Sequence, residues 1–329
     1  MIRRTLAALA IAATAAVAPA QAADEINFGI ISTESSSNLK TTWEPFLADM
    51  EKGTGYKINA FFASDYAGII EGMRFNKVQL AWYGNKSAME AVDRADGEVF
   101  AQTVASNGSE GYFAHILVHK DSPFQSLDDV LKCDQSLDFG IGDPNSTSGF
   151  LVPTTFVFSA RNIDPKQCFK TVRNANHEAN ALAVANKLVH AAANNSESLE
   201  RLEKTNPAAR ENIRVVWTSP LIPSDPLVWR KDLDAGVKEK ISSWLLSYGN
   251  SGNPDADAKA QKILLDLGWA PFKKSDNNQL LPIRQMELNK DIMKLQGDEK
   301  MPAADRAAKL KELQAQFEEV SEQLAALKK

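Results

Sequence analysis

The chain has 329 residues, a formal net charge of −5 at pH 7, 44% hydrophobic residues and 24% charged residues. This composition is that of a globular protein with two or three domains' worth of core, and it excludes a disordered or fibrous chain. A nucleic-acid partner is excluded as well, because the balance is acidic and no basic block is present to bind a phosphate backbone.

The first 22 residues have the pattern of a secretory signal peptide. Arg3 and Arg4 precede an apolar stretch at residues 6–17 that is too short to span a bilayer, and Ala20-Gln21-Ala22 fits the cleavage pattern. We expect cleavage after Ala22, which changes the net charge from −5 to −7 because both arginines are lost. The rest of the sequence has no apolar run of transmembrane length, so we expect a secreted, soluble protein in the periplasm.

Strand and helix patterns alternate at short intervals along residues 26–94. This alternation predicts an α/β lobe with a largely parallel sheet. The predicted strands are residues 26–31, 58–62 and 78–83, followed by two more at 99–104 and 112–118, and the helices between them include one that carries Trp43, Phe46, Leu47 and Met50 at helical spacing.

A second series follows the polar break at residues 120–123. It predicts strands at residues 137–141, 170–172 and 213–217, with helices near 150–160 and 180–186. Residues 220–226 contain three prolines and predict a rigid extended crossing without regular structure, after which the strand at Val228-Trp229 and the helix at 235–247 return to the first lobe.

The predicted fold is therefore α/β with two lobes, each lobe a mixed sheet flanked by helices. Residues 23–121 and 220–284 form the first lobe, residues 122–219 form the second, and residues 285–329 form a helical tail. A chain that leaves one lobe and returns to it encloses a cleft, which suits a small polar ligand and hinge closure around it.

The loop at residues 142–150 (GDPNSTSGF) lies between a predicted buried strand and a predicted helix. The first N–H groups of a helix have no internal partner, and Ser146, Thr147 and Ser148 add three hydroxyl donors beside them. The loop could hold a tetrahedral oxyanion in this way. A simple N-cap role for one hydroxyl is the alternative, although one cap does not need three hydroxyls in a row.

The two cysteines, Cys133 and Cys168, lie on either side of this loop in sequence. In an oxidising compartment they could form one disulfide, and two buried free thiols are the alternative. We expect no metal site and no cofactor, because the sequence has no Cys-x-x-Cys pair, no Walker loop and no dinucleotide fingerprint. His115, His119 and His190 are interpreted as structural residues.

The tail repeats apolar residues at spacings of three and four, which predicts an amphipathic helix with a short heptad pattern. Two interpretations stay open: the helix lies on its own lobe, or it forms a homodimer contact. The repeated residues are Leu310, Leu313, Phe317, Val320, Leu324 and Leu327.

Several segments together resemble the periplasmic phosphonate-binding proteins of bacterial ABC importers, in the broader family that binds phosphate, phosphite and phosphonate. The resemblance covers residues 26–284, and position 190 departs from it by holding His instead of a short acidic residue. The segments are residues 27–34 (NFGIISTE), 65–70 (DYAGII), 73–78 (MRFNKV), 81–85 (AWYGN), 142–150 (GDPNSTSGF), 176–178 (NHE), 180–187 (NALAVANK) and 219–223 (SPLIP).

This resemblance implies the two-lobed fold of a periplasmic binding protein, type II-like. It also implies a binding protein, not an enzyme, that delivers a phosphonate to an ABC permease in the inner membrane. It also implies which residues bind the ligand. Those expected at the phosphonate oxygens are Ser146, Thr147, Ser148, Tyr66, Tyr112 and His177. Glu197 and Asp225 are expected to face the amino end of the ligand.

Donors at one end and carboxylates at the other would select a zwitterion, and 2-aminoethylphosphonate fits best. The carboxylates would also repel inorganic phosphate. The alternatives are a phosphite or phosphate receptor and a secreted phosphonate-processing enzyme, although the sequence offers no nucleophile or metal motif for the enzyme.

Overall fold

A computed structural model of the protein describes residues 25–298 and 300–327. The predicted signal peptide and its cleavage site lie outside the described residues. Within them the strands are β1 (Glu25–Ile30), β2 (Lys57–Phe62), β3 (Leu80–Trp82), β4 (Gly97–Ala105), β5 (Gly111–Tyr112), β6 (Ala114–His119), β7 (Asp138–Ile141), β8 (Thr171–Asn174), β9 (Ala191–Asn195), β10 (Ile213–Thr218), β11 (Ile222–Pro223), β12 (Pro226–Arg230) and β13 (Trp269–Lys274).

The helices complete the alternation that the sequence predicts. In chain order they are α1 (Ser36–Thr54), α2 (Tyr66–Arg74), α3 (Asn85–Arg94), α4 (Leu127–Val130), α5 (Pro165–Cys168), α6 (His177–Ala185), α7 (Ser196–Thr205), α8 (Pro207–Glu211), α9 (Ala235–Ser247), α10 (Pro254–Leu267), α11 (Leu281–Gln296) and α12 (Ala303–Ala326).

The sheet of the first lobe has the strand order β13-β4-β12-β3-β1-β2. β1 is parallel to β2 and β3, whereas β12 is antiparallel to both β3 and β4, and β13 is antiparallel to β4. The sheet is therefore mixed: β1, β2, β3 and β4 run in one direction, and β12 and β13 run in the other. The two reversed strands are those that the chain adds after it returns from the second lobe.

The core of the first lobe confirms the apolar pattern that predicts α1. Trp43, Phe46 and Met50 are buried on this helix, and the Trp43 ring lies 5.4 Å from both Trp82 and Trp269. The helix ends at Gly55, whose φ of 70° is a left-handed conformation that glycine adopts without strain.

The sheet of the second lobe has the strand order β10-β6-β9-β7-β8. β6 lies in this sheet, antiparallel to β9 and β10, although the sequence assigned its residues to the first lobe up to residue 121. The first crossing between lobes therefore occurs at β5, before β6. The correction depends on strand pairing, which a local apolar pattern does not specify.

The two crossings meet in a small sheet of their own. β5 pairs antiparallel with β11, with Tyr112 opposite Ile222. The segment with three prolines thus contains a short strand, where the sequence predicted none. Pairing ties the two connections together at the base of the cleft, as expected of a hinge.

The predicted helix near residues 150–160 begins earlier and is wider than an α-helix. Residues 147–151 and 154–158 form π-type turns, followed by a 3-10 turn at Ser159–Arg161. The first wide turn is closed by the Leu151 N–H donating to the Ser146 carbonyl over 3.1 Å. Wide turns often occur at binding sites, and Pro153, which has no N–H to donate, lies between the two wide turns.

Cys133 and Cys168 form a disulfide in the second lobe. The bond joins the loop after α4 to the end of α5, and their 35-residue separation encloses β7 and the hydroxyl loop. Cross-linking a loop of this length reduces the entropy of the unfolded chain. The bond therefore stabilises the strand and turn that position the hydroxyls.

The tail forms a helical hairpin. α12 packs antiparallel against α11, and the Gln285 side chain donates to the Ser321 hydroxyl over 2.8 Å. α11 contacts both α3 of the first lobe and the wide-turn helix of the second. The repeated apolar residues of α12 are only half-buried on this support, and Leu327 is 55% exposed. In the described part of the chain, none of the helices has the length and apolar character needed to cross a bilayer.

Candidate ligand-binding site

A small cavity of about 10 Å³ lies between the lobes beside the two-stranded hinge. This is far below the range of roughly 300–1,000 Å³ that drug-sized ligands occupy, so in this closed arrangement the polar side chains nearly fill the site. All eight ligand-binding residues predicted from the sequence line it. The full lining is Ile31, Thr33, Tyr66, Trp82, Gly84, Tyr112, Ser146, Thr147, Ser148, His177, Asn195, Glu197, Arg201 and Asp225.

The three hydroxyls of the loop are each buried and each already accept a hydrogen bond. Ser146 Oγ accepts from the Gly149 N–H over 3.0 Å, and Ser148 Oγ accepts from Asn195 Nδ2 over 2.9 Å. Thr147 Oγ1 accepts from the Lys86 N–H over 2.8 Å, across the cleft. A hydroxyl that accepts from the protein keeps its own proton to donate. Ser146 is thus an N-cap, as one interpretation held, and the other two hydroxyls do not serve as caps.

Two glycines allow the loop to fold back on itself. The Gly142 N–H donates to the Gly149 carbonyl over 2.7 Å, and a Cβ on Gly142 would lie 2.5 Å from the Gly149 Cα. Any side chain at residue 142 would therefore push the two ends of the loop apart. Gly149 is required by packing inside the loop as well, because a Cβ there would lie 2.9 Å from Ser146 Oγ.

His177 begins α6 and is neutral at physiological pH. Burial and the neighbouring Arg201 lower the pKa of His177 to about 3. Its Nε2 lies 3.2 Å from Asn195 Nδ2 and 3.4 Å from Ser146 Oγ, whereas the buried Nδ1 has no hydrogen-bond partner among the described residues. A neutral imidazole that accepts from Asn195 carries its proton on Nδ1, which is then free to donate.

The two tyrosines occupy different positions. Tyr66 begins α2, and its phenol lies near the Ser146 hydroxyl. The Tyr112 phenol lies near the Asp225 carboxyl group. Burial raises the pKa of both phenols, so both keep their protons at neutral pH. Tyr66 thus lies with the loop hydroxyls, and Tyr112 lies with a carboxylate.

Glu197 and Asp225 bring two carboxyl groups to the same cavity. Burial raises the pKa of Asp225 well above its ordinary value, the nearby Glu197 raises it further, and Tyr112 and Arg201 oppose the shift. Burial likewise raises the pKa of Glu197, Glu200 adds to the shift, and Arg201 and the nearby Trp269 oppose it. Asp225 Oδ1 is buried without a hydrogen-bond partner in the described part of the chain. A buried, unpaired carboxylate oxygen is the complement of an ammonium group.

These raised pKa values predict that the ligand-free protein loses stability as pH rises. Above about pH 4 an unfolded chain releases the Asp225 proton, whereas the folded protein retains it up to a higher pH. We expect Asp225→Asn to stabilise the ligand-free protein by at least about 1 kcal/mol at pH 8 and much less at pH 3.5, since one pKa unit is about 1.4 kcal/mol. Thermal unfolding at the two pH values measures this.

Asp257→Asn is the control of opposite sign. Hydrogen bonds from Ser251 and Gly252 lower the pKa of this exposed carboxyl, so its removal should destabilise the protein at pH 8. If Asp225→Asn destabilised the ligand-free protein at pH 8 as well, burial of the Asp225 carboxyl group would not lower the free energy of unfolding, and the prediction would be wrong.

Several hydrogen bonds hold the lobes closed around the cavity. The Tyr66 N–H donates to Asp143 Oδ2 over 3.1 Å, and the Ser35 N–H donates to Glu178 Oε2 over 2.8 Å. Glu34 and Arg201 add a buried ion pair. Each contact joins a residue of the first lobe to one of the second, so the structure shows the closed arrangement.

Four polar lining residues are absent from the sequence prediction. Thr33 Oγ1 and Trp82 Nε1 are buried without partners among the described residues. Asn195 bridges Ser148 and His177, and Arg201 lies near both carboxylates. The sequence does contain a pattern that could have identified Asn195 and Arg201. Asn195 is the N-cap of α7, and Arg201 follows Glu197 by four residues on the same helix face.

The remaining histidines lie outside the cavity. His115 and His119 lie on β6, and His190 accepts from the Asp138 N–H over 2.9 Å in the second lobe. Across residues 25–298 and 300–327, no group of three or more potential ligands could hold a metal ion.

Comparison with known proteins places this geometry in context. A sequence model of the family described as "ABC transporter, phosphonate, periplasmic substrate-binding protein" matches residues 28–280. The phosphonates-binding periplasmic protein of Escherichia coli (strain K12) is 53% identical over 307 residues, which cover 92% of this chain and 89% of that protein.

Solved structures show similar folds. A binding protein component of an ABC phosphonate transporter from Pseudomonas aeruginosa has a TM-score of 0.89 and 53% identity, covering 93% of this chain and 99% of that one. A Prochlorococcus marinus (strain MIT 9301) protein in complex with methylphosphonate has a TM-score of 0.71 and 22% identity, covering 81% and 99% of the two chains.

Proposed function

Because this chain belongs to the family of periplasmic substrate-binding proteins of ABC phosphonate transporters, we propose that it captures 2-aminoethylphosphonate and delivers it to an inner-membrane permease. Its relatives are binding proteins, and the chain is a binding protein and not an enzyme. The family acts in the periplasm, which is where we expect this chain. Cleavage of a signal peptide after Ala22 stays a prediction that N-terminal sequencing of the exported protein tests.

The observation that carries the choice of ligand is the polarity of the cavity. Neutral donors from Ser146, Thr147, Ser148, Tyr66 and His177 lie together, and they suit the oxygens of a phosphonate. Glu197 and Asp225 lie beside them, and they suit an ammonium group. Tyr112 shares the carboxylate side, so we propose that it orients Asp225 as well as facing the ligand.

A titration panel tests this proposal. We expect aminoethylphosphonate to bind more tightly than methylphosphonate, and inorganic phosphate and phosphite to bind least, because these anions bring no cation to the carboxylates. Isothermal calorimetry of the mature protein gives each affinity. Tighter binding of phosphate or phosphite than of either phosphonate would favour the alternative receptor function.

We also propose that the tail contributes to a homodimer. α12 is supported by α11 on one side, and its repeated apolar residues stay half-buried, as expected of a surface that a second copy covers. Deleting residues 303–329 should convert a dimer into a monomer in light scattering and leave phosphonate affinity unchanged. A full-length chain that is monomeric at high micromolar concentration would contradict the proposal and leave the binding function intact.

A further inference from the structure

Arg201 lines the ligand cavity, but its guanidinium group forms an ion pair with a residue outside the cavity lining. Its side chain is 12% exposed and forms an ion pair with Glu34, whose side chain is 9% exposed. Glu34 lies in the loop after β1 of the first lobe, and Arg201 lies on α7 of the second. The pair therefore crosses the cleft, next to the carboxyl groups of Glu197 and Asp225, which both raise the pKa of Arg201.

Arg201 is also the one cationic side chain among the described residues that line the cavity. The other donors there are hydroxyls, an amide, an indole and the neutral His177. An arginine at an oxyanion site normally binds the anion directly, through two parallel hydrogen bonds. Here the Arg201 Nε donates to Glu34 Oε1 instead.

We propose that Glu34 is a specificity-determining residue, because it binds the Arg201 guanidinium group and so prevents it from binding the anion. With Glu34 in place, the tetrahedral acid meets only neutral donors, and the cavity favours ligands that bring their own positive charge. Without Glu34, Arg201 could turn toward the anion or neutralise Glu197, one helical turn away. Both movements reduce repulsion of a simple anion and weaken the hold on an ammonium group.

This inference rests on the proposed function only in taking the ligand to be a tetrahedral oxyanion. It adds that selectivity against anions without a positive group is determined by Glu34, a residue that does not line the cavity. The pair also helps to close the lobes, so the test has to separate closure, which affects all ligands alike, from selectivity, which affects their ratio.

Glu34→Gln is the decisive variant, and Glu178→Gln is its matched control. Both substitutions remove one negative charge and one carboxylate that bridges the lobes, but Glu178 binds Ser35 and Asn38, whereas Glu34 binds Arg201. We expect Glu34→Gln to raise the ratio of methylphosphonate affinity to aminoethylphosphonate affinity by at least about tenfold, the size of a charge-assisted hydrogen bond. Glu178→Gln should leave that ratio within about twofold, since any weakening of closure by a rim charge is shared by both ligands.

The inference requires that Arg201 causes any gain in affinity for methylphosphonate or inorganic phosphate. The double variant Glu34→Gln, Arg201→Gln should lose the increase in methylphosphonate and inorganic phosphate affinity that Glu34→Gln shows alone. Glu34→Ala provides a second way to release Arg201 should Glu34→Gln not fold. An unchanged ratio in the folded Glu34 variant, or the same change in Glu178→Gln, would overturn the inference.

The two proposals fail differently. If the wild-type protein bound phosphate more tightly than either phosphonate, the proposed function would fail whatever the variants did. If the wild-type protein preferred aminoethylphosphonate and Glu34→Gln kept the same preference, the function would stand and the role of Glu34 would not.

Discussion

Asp225→Asn is expected to weaken aminoethylphosphonate binding about 100-fold, because truncating one partner of a buried, hydrogen-bonded charge pair costs at least about 2 kcal/mol. The same substitution should leave methylphosphonate affinity unchanged or increased, since this ligand has no ammonium group and no longer lies beside a carboxyl group that can ionise. Asn keeps the shape of Asp and can still accept from Tyr112, so the result isolates the charge. Calorimetric titration with both ligands measures the change in their ratio.

Glu197→Gln should act in the same direction, with a smaller effect because Arg201 and Trp269 already compensate part of the Glu197 charge. Glu200→Gln is the matched control: it lies on the same helix, removes the same charge and is exposed away from the cavity. Equal losses for both ligands in Asp225→Asn and Glu197→Gln would show that the carboxylates hold the lobes and do not bind an amine.

Thr147→Val is expected to weaken every tetrahedral ligand by a similar factor, about 100-fold. The substitution preserves shape but removes a hydroxyl that accepts from the Lys86 N–H across the cleft and is free to donate to the ligand. One lost charge-assisted hydrogen bond and one unsatisfied buried N–H together cost about 3 kcal/mol. Aminoethylphosphonate, methylphosphonate and phosphate should all weaken together, so their order is retained.

Thr155→Val is the control for this loop. Thr155 lies in the same wide-turn helix, is buried, and donates its hydroxyl to the Leu151 carbonyl over 2.9 Å without lining the cavity. Its removal should lower stability and leave all affinities nearly unchanged. If Thr147→Val changed the ratio of the affinities for the three ligands, the loop would discriminate among them and would not only bind the oxyanion that they share.

The two substitutions thus separate the two ends of the cavity. Carboxylate variants should change the ratio between ligands, and hydroxyl variants should change all affinities in parallel. The separation follows from chemistry that the structure brings together in one cavity: neutral hydroxyl and imidazole donors, and two carboxyl groups.

The family, the two-lobed α/β fold and the cavity-lining position of the eight residues could be predicted from the sequence. Local patterns carry this information, because strands alternate with helices and the hydroxyl loop follows a buried strand directly. The three hydroxyls are adjacent in sequence, so their clustering needs no knowledge of long-range contacts. Resemblance to a family supplied the residues that lie far apart, such as Tyr66 and Asp225.

Other features could not be predicted because they depend on partners distant in sequence. β6 has the same apolar character in either lobe, and only its pairing with β9 and β10 decides the sheet. The two-residue strand β11 exists only because β5 lies opposite. The wide turns at residues 147–158 replace a regular helix in a segment whose spacing resembles an ordinary one.

The Glu34–Arg201 pair shows the same limit at the site. The two residues are separated by 167 positions, and each taken alone is an ordinary charged residue, Glu34 in the loop before α1 and Arg201 within the polar helix α7. Only the closed arrangement of the lobes places them together. Long-range electrostatic partners of this kind are what the structure adds to the prediction.

A crystal structure of the mature protein with 2-aminoethylphosphonate tests the central claim most directly. We predict that the phosphonate oxygens lie within about 3 Å of the side-chain oxygens of Ser146, Thr147 and Ser148, with the ammonium nitrogen as close to Glu197 or Asp225. The Arg201 side chain should remain on Glu34. A phosphorus atom bound to Arg201, or an ammonium group among the hydroxyls, would contradict this account.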